Sequence, residues 1–287
     1  MTRVPLGLAP PPVLLGVAHG SRDPASQEVV AGLLARAAGL RPGLRTAAAF
    51  VDNASPSVRR ALAGLVADGA RDVVVVPLLL TPASHSKTDV AASVQAGRVD
   101  HPTVRLRYGR PLGPHPVLVD TLARRLTEAG ARDDDPVVLV AGGALDPDAN
   151  AQVAATARLL WEGRPWPSVD IAFASTTGPT VPEALERLRA LGARRVAVAR
   201  YFLGPGRLPG LVERQARGVE GLEVVVAAPL GASDGLAGLL LGRYDEVLGG
   251  DVRMNCDVCM YRTPFPGREP AVGAPQLPHD HPDDAPR

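Results

Sequence analysis

The sequence predicts an α/β fold made of two tandem duplicated doubly wound domains, each a four-stranded parallel sheet flanked by helices. Three observations carry this reading. Shifting the chain against itself by 123 positions lays Asp23-Pro24 on Asp146-Pro147, Ala49-Phe50 on Ala172-Phe173, Pro56 on Pro179, and Gly69-Ala70-Arg71 on Gly192-Ala193-Arg194. Within each copy, apolar β-branched runs alternate with segments of helical period, as expected of parallel strands buried on both faces and joined by right-handed crossovers. The chain has 287 residues, 46% hydrophobic and 21% charged, enough for two cores at roughly 150 residues each.

In order along copy one, strands are expected at 13–17, 46–50, 72–79 and 104–108, and helices at 24–38, 56–67, 85–95 and 116–129. Asp23-Pro24 starts the first helix with a side-chain cap and a proline at the first helical position, and Asp146-Pro147 repeats the device. Copy two follows the same order. Pro111-Leu112-Gly113 matches Pro229-Leu230-Gly231 at a shift of 118, so copy two has lost five residues, which this reading places in the loop before its last strand. The expected divisions are 1–133, an N-terminal domain carrying the site; 134–250, its duplicate without the site residues; and 251–287, a Cys-x-x-Cys segment with a Pro-rich tail expected to be disordered.

Net charge excludes one class of partner. With 31 basic and 30 acidic residues there is no field to hold a phosphate backbone, so no nucleic acid is expected. Lys87 is the only lysine. Two cysteines cannot staple a chain of this size, which points to reduced thiols and a cytoplasmic protein. The prolines at 5, 10, 11 and 12 break the apolar N-terminus, and the longest apolar run, 73–80, falls far short of the roughly 18 residues needed to span a bilayer, so neither a signal peptide nor a membrane segment is expected.

In an open parallel sheet ligands bind beyond the carboxyl ends of the strands, where strand order reverses; in the order 2-1-3-4 that crevice lies between strands 1 and 3. Strand 1 leads into Ala18-His19-Gly20-Ser21-Arg22, and strand 3 into Ser84-His85-Ser86-Lys87-Thr88-Asp89. Strand 2 ends in Phe50-Val51-Asp52 and brings a carboxylate to the same rim. The duplicate is an internal control. At a shift of 123, His19 becomes Gly142, Asp52 becomes Ser175, His85 becomes Leu208, Arg22 becomes Leu145 and Lys87 becomes Gly210. The fold therefore needs none of these, and a functional site confined to copy one is expected. Two imidazoles and a carboxylate suit a divalent ion such as Fe²⁺, Co²⁺, Ni²⁺ or Zn²⁺, and equally suit proton transfer near neutral pH. No Walker A loop is present, and the 204–210 segment only imitates a dinucleotide fingerprint.

His-Gly-Ser-Arg after strand 1, the Ala-Phe-x-Asp-x-Ala-x-Pro-Ser run at 49–57 and His-x-x-x-Asp after strand 3 resemble the sirohydrochlorin chelatases, the ATP-independent class II tetrapyrrole chelatases, in their long two-domain form. The resemblance covers nearly the whole chain. It implies a lyase that inserts a divalent metal into a tetrapyrrole with loss of two protons, acting in sirohaem or cobalamin synthesis, with Fe²⁺ placed ahead of Co²⁺. It implies that His19 and His85 hold the metal and help take the pyrrole protons. Asp52 stands where the family usually shows glutamate, one methylene longer. Ser21, Arg22, Lys87 and Asp89 are the candidate substrate-binding residues, with Arg110 and Arg207 as further cations. Sirohydrochlorin and the metal are the implied partners, with no organic cofactor and a monomer or homodimer as the assembly. The alternative is a metal or tetrapyrrole carrier without turnover.

The 254–262 segment, with Cys256 and Cys259, resembles the Met-x-Cys-x-x-Cys element of some long-form cobalt chelatases, where it is linked to an iron–sulphur cluster. A four-iron cluster normally takes four thiolates. The pair is thus open to three readings: a cluster shared across a dimer, a metal-docking or redox-sensitive dithiol, or a structural turn.

Overall fold

The computed structural model describes residues 10–82, 85–253, 261–262, 269–275 and 282–284. The first half runs β1 (Val13–Ala18), α1 (Pro24–Leu40), β2 (Thr46–Phe50), α2 (Val58–Ala67) and β3 (Asp72–Pro77). A π-helical turn (His85–Asp89) then leads directly into α3 (Val90–Asp100), followed by β4 (Arg105–Tyr108) and α4 (Pro116–Glu128). The second half repeats this as β5 (Val137–Ala141), α5 (Pro147–Trp161), β6 (Val169–Phe173), α6 (Val181–Ala190), β7 (Arg195–Arg200), α7 (Arg207–Arg217), β8 (Glu223–Val226) and α8 (Asp234–Gly249). Both sheets are parallel and four-stranded, ordered β2-β1-β3-β4 and β6-β5-β7-β8. Asp23 and Asp146 cap α1 and α5 through their side chains, each followed by proline.

The five-residue difference between the copies lies elsewhere than the sequence suggests. The π turn of five residues plus α3 of eleven faces a single α7 of eleven, whereas the connections from these helices to β4 and β8 differ little in length. Copy one therefore has an extra helical turn, and that turn carries His85, Lys87 and Asp89.

Strand residues alternate between two cores, as the period of two requires. Val13, Leu15, Val17, Val73 and Val75 face an outer core under α2 and α3, while Leu14, Ala18, Val74 and Val76 face inward. Copy two builds its own outer core under α6 and α7 from Val138, Val140, Val196 and Val198. The inward faces of both sheets share one central core, with Leu118, Leu122 and Leu126 of α4 and Leu236, Leu240 and Tyr244 of α8.

The last helices are exchanged between the halves. α8 packs on α1 and β3 of the first half, and α4 packs on α5 and β7 of the second. Polar contacts pin both. Arg41 donates to both oxygens of Asp245 (2.5 and 2.7 Å), the Tyr244 hydroxyl to the Pro12 carbonyl (2.7 Å), and buried Arg243 to the carbonyls of Pro111 and Leu112 (2.9 and 2.8 Å). Arg125 of α4 donates to the Leu230 carbonyl (2.9 Å) in return.

Of the tail expected to be disordered, 269–275 and 282–284 are described, and Asp283 and Asp284 accept hydrogen bonds from the backbone N–H and hydroxyl of Ser57 at the start of α2. Among the described residues, no helix is long and apolar enough to cross a membrane.

Candidate active site

The C-terminal ends of β1 and β5 open towards each other, and between the halves lies a cleft of about 950 Å³. Its floor is apolar, drawn from both repeats: Val30, Leu78, Leu80, Ala141, Tyr201 and Phe202. His19, exposed at the end of β1, stands on its wall, and Arg22 and Arg207 supply one exposed guanidinium from each half. Such a cavity suits a large, largely apolar ligand with anionic edges.

Local structure explains how His19 is held. Gly20 follows it with φ +99°, a conformation that side chains rarely adopt, and its α-carbon presses against the backbone of the loop after β2. There the Asp52 N–H donates to the His19 carbonyl (2.8 Å). The imidazole Nδ1 lies 3.4 Å from the Gly20 carbonyl. Ser21 turns inward: its hydroxyl accepts from the Asp23 N–H (3.1 Å) and its carbonyl from the Gln27 amide (3.2 Å), so it shapes the start of α1 as well as lining the cleft.

The other sequence candidates divide. The Asp52 carboxylate accepts from the Asn53 N–H (2.7 Å) and side-chain amide (2.5 Å), and Asn53 rather than Asp52 lines the cleft. His85 opens the π turn; the side chains of His85 and Ser86, like Cys256 and Cys259, lie outside the described residues. Asp89 does not cap α3 through its side chain; it lines a small depression with Ser57, Ser93 and Asp284 on the opposite face of the sheet. Among the described residues, no three histidine, cysteine or acidic side chains converge as a metal cage.

Lys87 is enclosed by the second repeat. Its ammonium donates to Asp146 (2.7 Å) and Asp148 (2.9 Å) at the start of α5, and the lysine side chain is 8% exposed against 0% and 2% for the aspartates. Burial works to lower its pKa, but the hydrogen bonds and charges of Asp146 and Asp148 outweigh it and the pKa is raised, so the lysine stays protonated. Its ammonium is engaged by α5, and Lys87 is not among the residues that line the cleft. Arg110 likewise is engaged, gripping Glu246 of α8 (2.7 and 2.8 Å) away from the cleft.

Sequence reasoning confined the site to copy one, yet copy two forms half of the cleft. Gly142, Gly143 and Ala144, after β5, line it as His19 does, and Asn150 holds that loop by donating to the Ala144 carbonyl (2.8 Å) and accepting its N–H (3.1 Å). Tyr201 was also missed. Its buried hydroxyl donates to the Leu80 carbonyl at the end of the first half's β3 loop (3.0 Å). The available signal was the repeat itself, because two copies of one fold each present a crevice at the same strand ends.

Fold and cleft together define a duplicated α/β protein with a cleft between its repeats. The chain belongs to the CbiX family, whose pattern matches residues 13–129 and again 136–247. It is 35% identical over 260 residues to the sirohydrochlorin cobaltochelatase of Priestia megaterium, covering 87% of this chain and 84% of that one. It is 30% identical over 206 residues to the sirohydrochlorin ferrochelatase of Bacillus subtilis (strain 168), covering 71% and 78%. The solved structure of SirB from Bacillus subtilis with Fe³⁺ superposes with a TM-score of 0.72 at 26% identity, over 82% of this chain and 94% of that one.

Proposed function

We propose that the protein is a sirohydrochlorin chelatase, a lyase that places Co²⁺ or Fe²⁺ in the macrocycle without ATP and releases two protons. The observation that carries this is the cleft itself: an apolar floor from both repeats, His19 on its wall and a guanidinium on each side. A flat macrocycle fringed with carboxylates lies on the floor with Arg22 and Arg207 towards its edge. His19 and His85 hold the metal as neutral imidazoles, then accept the pyrrole N–H protons as the metal–nitrogen bonds form; imidazole titrates in the range this exchange needs. Asp52, in the loop after β2, contributes through position and charge. The sequence reading puts Fe²⁺ first; the 35% identity to a cobaltochelatase, against 30% to a ferrochelatase, makes Co²⁺ the first metal to test.

The test is anaerobic insertion followed by the absorption of sirohydrochlorin, with Co²⁺ and Fe²⁺ in separate runs. Multiple turnovers are expected, falling by about 10²–10⁴-fold in His19→Ala and His85→Ala and unchanged in Cys256→Ser. Binding of both metal and tetrapyrrole without acceleration over the spontaneous reaction would replace the chelatase by a carrier.

A further inference from the structure

Three residues that break the internal repeat meet at one place. Lys87 lies on a turn that has no counterpart in copy two, Asp148 has Ala25 opposite it at a shift of 123, and Tyr201 has Leu78. The first belongs to copy one and the other two to copy two, and in the structure they join across the halves. Lys87 lies on the π turn that copy one has and copy two lacks, and its ammonium is enclosed by Asp146 and Asp148 of α5. Each aspartate oxygen has a partner: Asp146 also accepts the Asp148 N–H (3.1 Å), and Asp148 the Gln152 amide (3.2 Å). On the other side of His85, Leu80 is held through its carbonyl by the Tyr201 hydroxyl (3.0 Å). Leu80 and Lys87, which flank His85 in the sequence, are thus both bonded to the second repeat. π turns recur at functional sites because an irregular turn re-aims a side chain, and such a turn keeps its shape only when its surroundings hold it.

We infer that Lys87 is a positioning residue: with Asp146 and Asp148, and with Tyr201 at the far end of the segment, it sets where His85 stands when the metal is handed to the macrocycle. The inference rests on the reading of His85 as a metal-handling residue. It gives the second repeat a task beyond enclosing substrate, since it supplies the rigid support for a group it does not itself contain. Supporting groups of this kind govern metal affinity and rate without touching the metal.

Four proteins test it: wild type, His85→Ala, Tyr201→Phe, and the triple variant Lys87→Met/Asp146→Asn/Asp148→Asn, which removes the ion pairs without leaving a buried charge. Two measurements are made on each, the Co²⁺ dependence of insertion and the visible ligand-field spectrum of Co²⁺ bound in the absence of tetrapyrrole, with thermal melting as the control for folding. In the triple variant, kcat/KM for Co²⁺ falls about ten- to hundredfold and the Co²⁺ spectrum changes, while KM for sirohydrochlorin holds. Tyr201→Phe, which loses a single hydroxyl, shows a smaller fall of the same kind. Wild-type kcat/KM and spectrum in both variants overturn the inference, as does a loss shared equally by Co²⁺ and sirohydrochlorin with a collapsed melting point. A His85→Ala protein with the wild-type rate and spectrum instead removes the reading of His85, and the inference with it.

Discussion

Gly20 and Asp52 are in such close backbone contact that a β-carbon on the glycine would overlap the aspartate carbonyl oxygen. The same relation joins Gly143 to Ser175 in the second repeat. The two loops at the carboxyl ends of β1 and β2 are therefore one unit, kept in both copies although only the first offers a histidine. Gly20→Ala and Gly143→Ala are each expected to destabilise the protein by about 2–4 kcal/mol, from a positive φ combined with overlap. Urea unfolding reads the loss, and metal insertion should fall further in Gly20→Ala. A Gly20→Ala protein as stable as wild type would mean that the loops part freely.

His115 caps α4 by accepting the Val117 N–H at Nδ1 (3.2 Å), which requires an unprotonated nitrogen. Burial, then the charges of Arg243 and Arg110, hold its pKa below the ordinary 6.5. In the unfolded chain it binds a proton first as pH falls, so its contribution to stability is complete above 6.5 and is lost as pH drops through the lower, folded value. The urea midpoint should fall as pH drops below 6.5, and His115→Asn, which caps without titrating, should flatten that part of the curve. An unchanged slope in His115→Asn would assign it to other groups.

Lys87 is the only lysine and is enclosed by two buried aspartates, which makes it a built-in reporter. An amine-acylating reagent should modify the α-amino group of the native protein and leave Lys87 untouched until denaturant opens the halves. Peptide mass spectrometry gives the answer. Acylation of Lys87 in the native protein at the rate of a free lysine would contradict the enclosure.

Arg243, 2% exposed, sends two of its hydrogen bonds from α8 into the other half, to the carbonyls of Pro111 and Leu112. Arg243→Met leaves two buried acceptors without that partner, and about 2–4 kcal/mol of stability should be lost. Because the halves share a core, a single unfolding transition should persist and move as a whole. Two separate transitions would show that each half stands alone.

Much of the fold was legible because it depends on local pattern and on the repeat. Val-rich runs marked the strands, Asp-Pro pairs marked α1 and α5, and the 123-residue shift set the order of elements. Helix exchange was not legible, since the apolar stripes of α4 and α8 show that each must be covered without naming the sheet that covers it. For the same reason Lys87 read as a candidate for substrate carboxylates: its partners, 59 and 61 residues away, are the cap of a helix and its neighbour in the other copy. His19 could be placed from topology alone, because the reversal point between β1 and β3 fixes where a crevice opens.

The exchange of α4 and α8 also constrains what can happen to a duplicated gene. Once each copy's closing helix covers its twin's sheet, neither copy can be deleted without stripping the other of its cover. Chemistry can disappear from one copy while the copy itself is retained. Selection on the second repeat then shifts from reacting groups to shape, so its side chains are free to change wherever the packing partner across the molecule accepts them. A chain of this kind can grow asymmetric in function while remaining bound to symmetry in architecture.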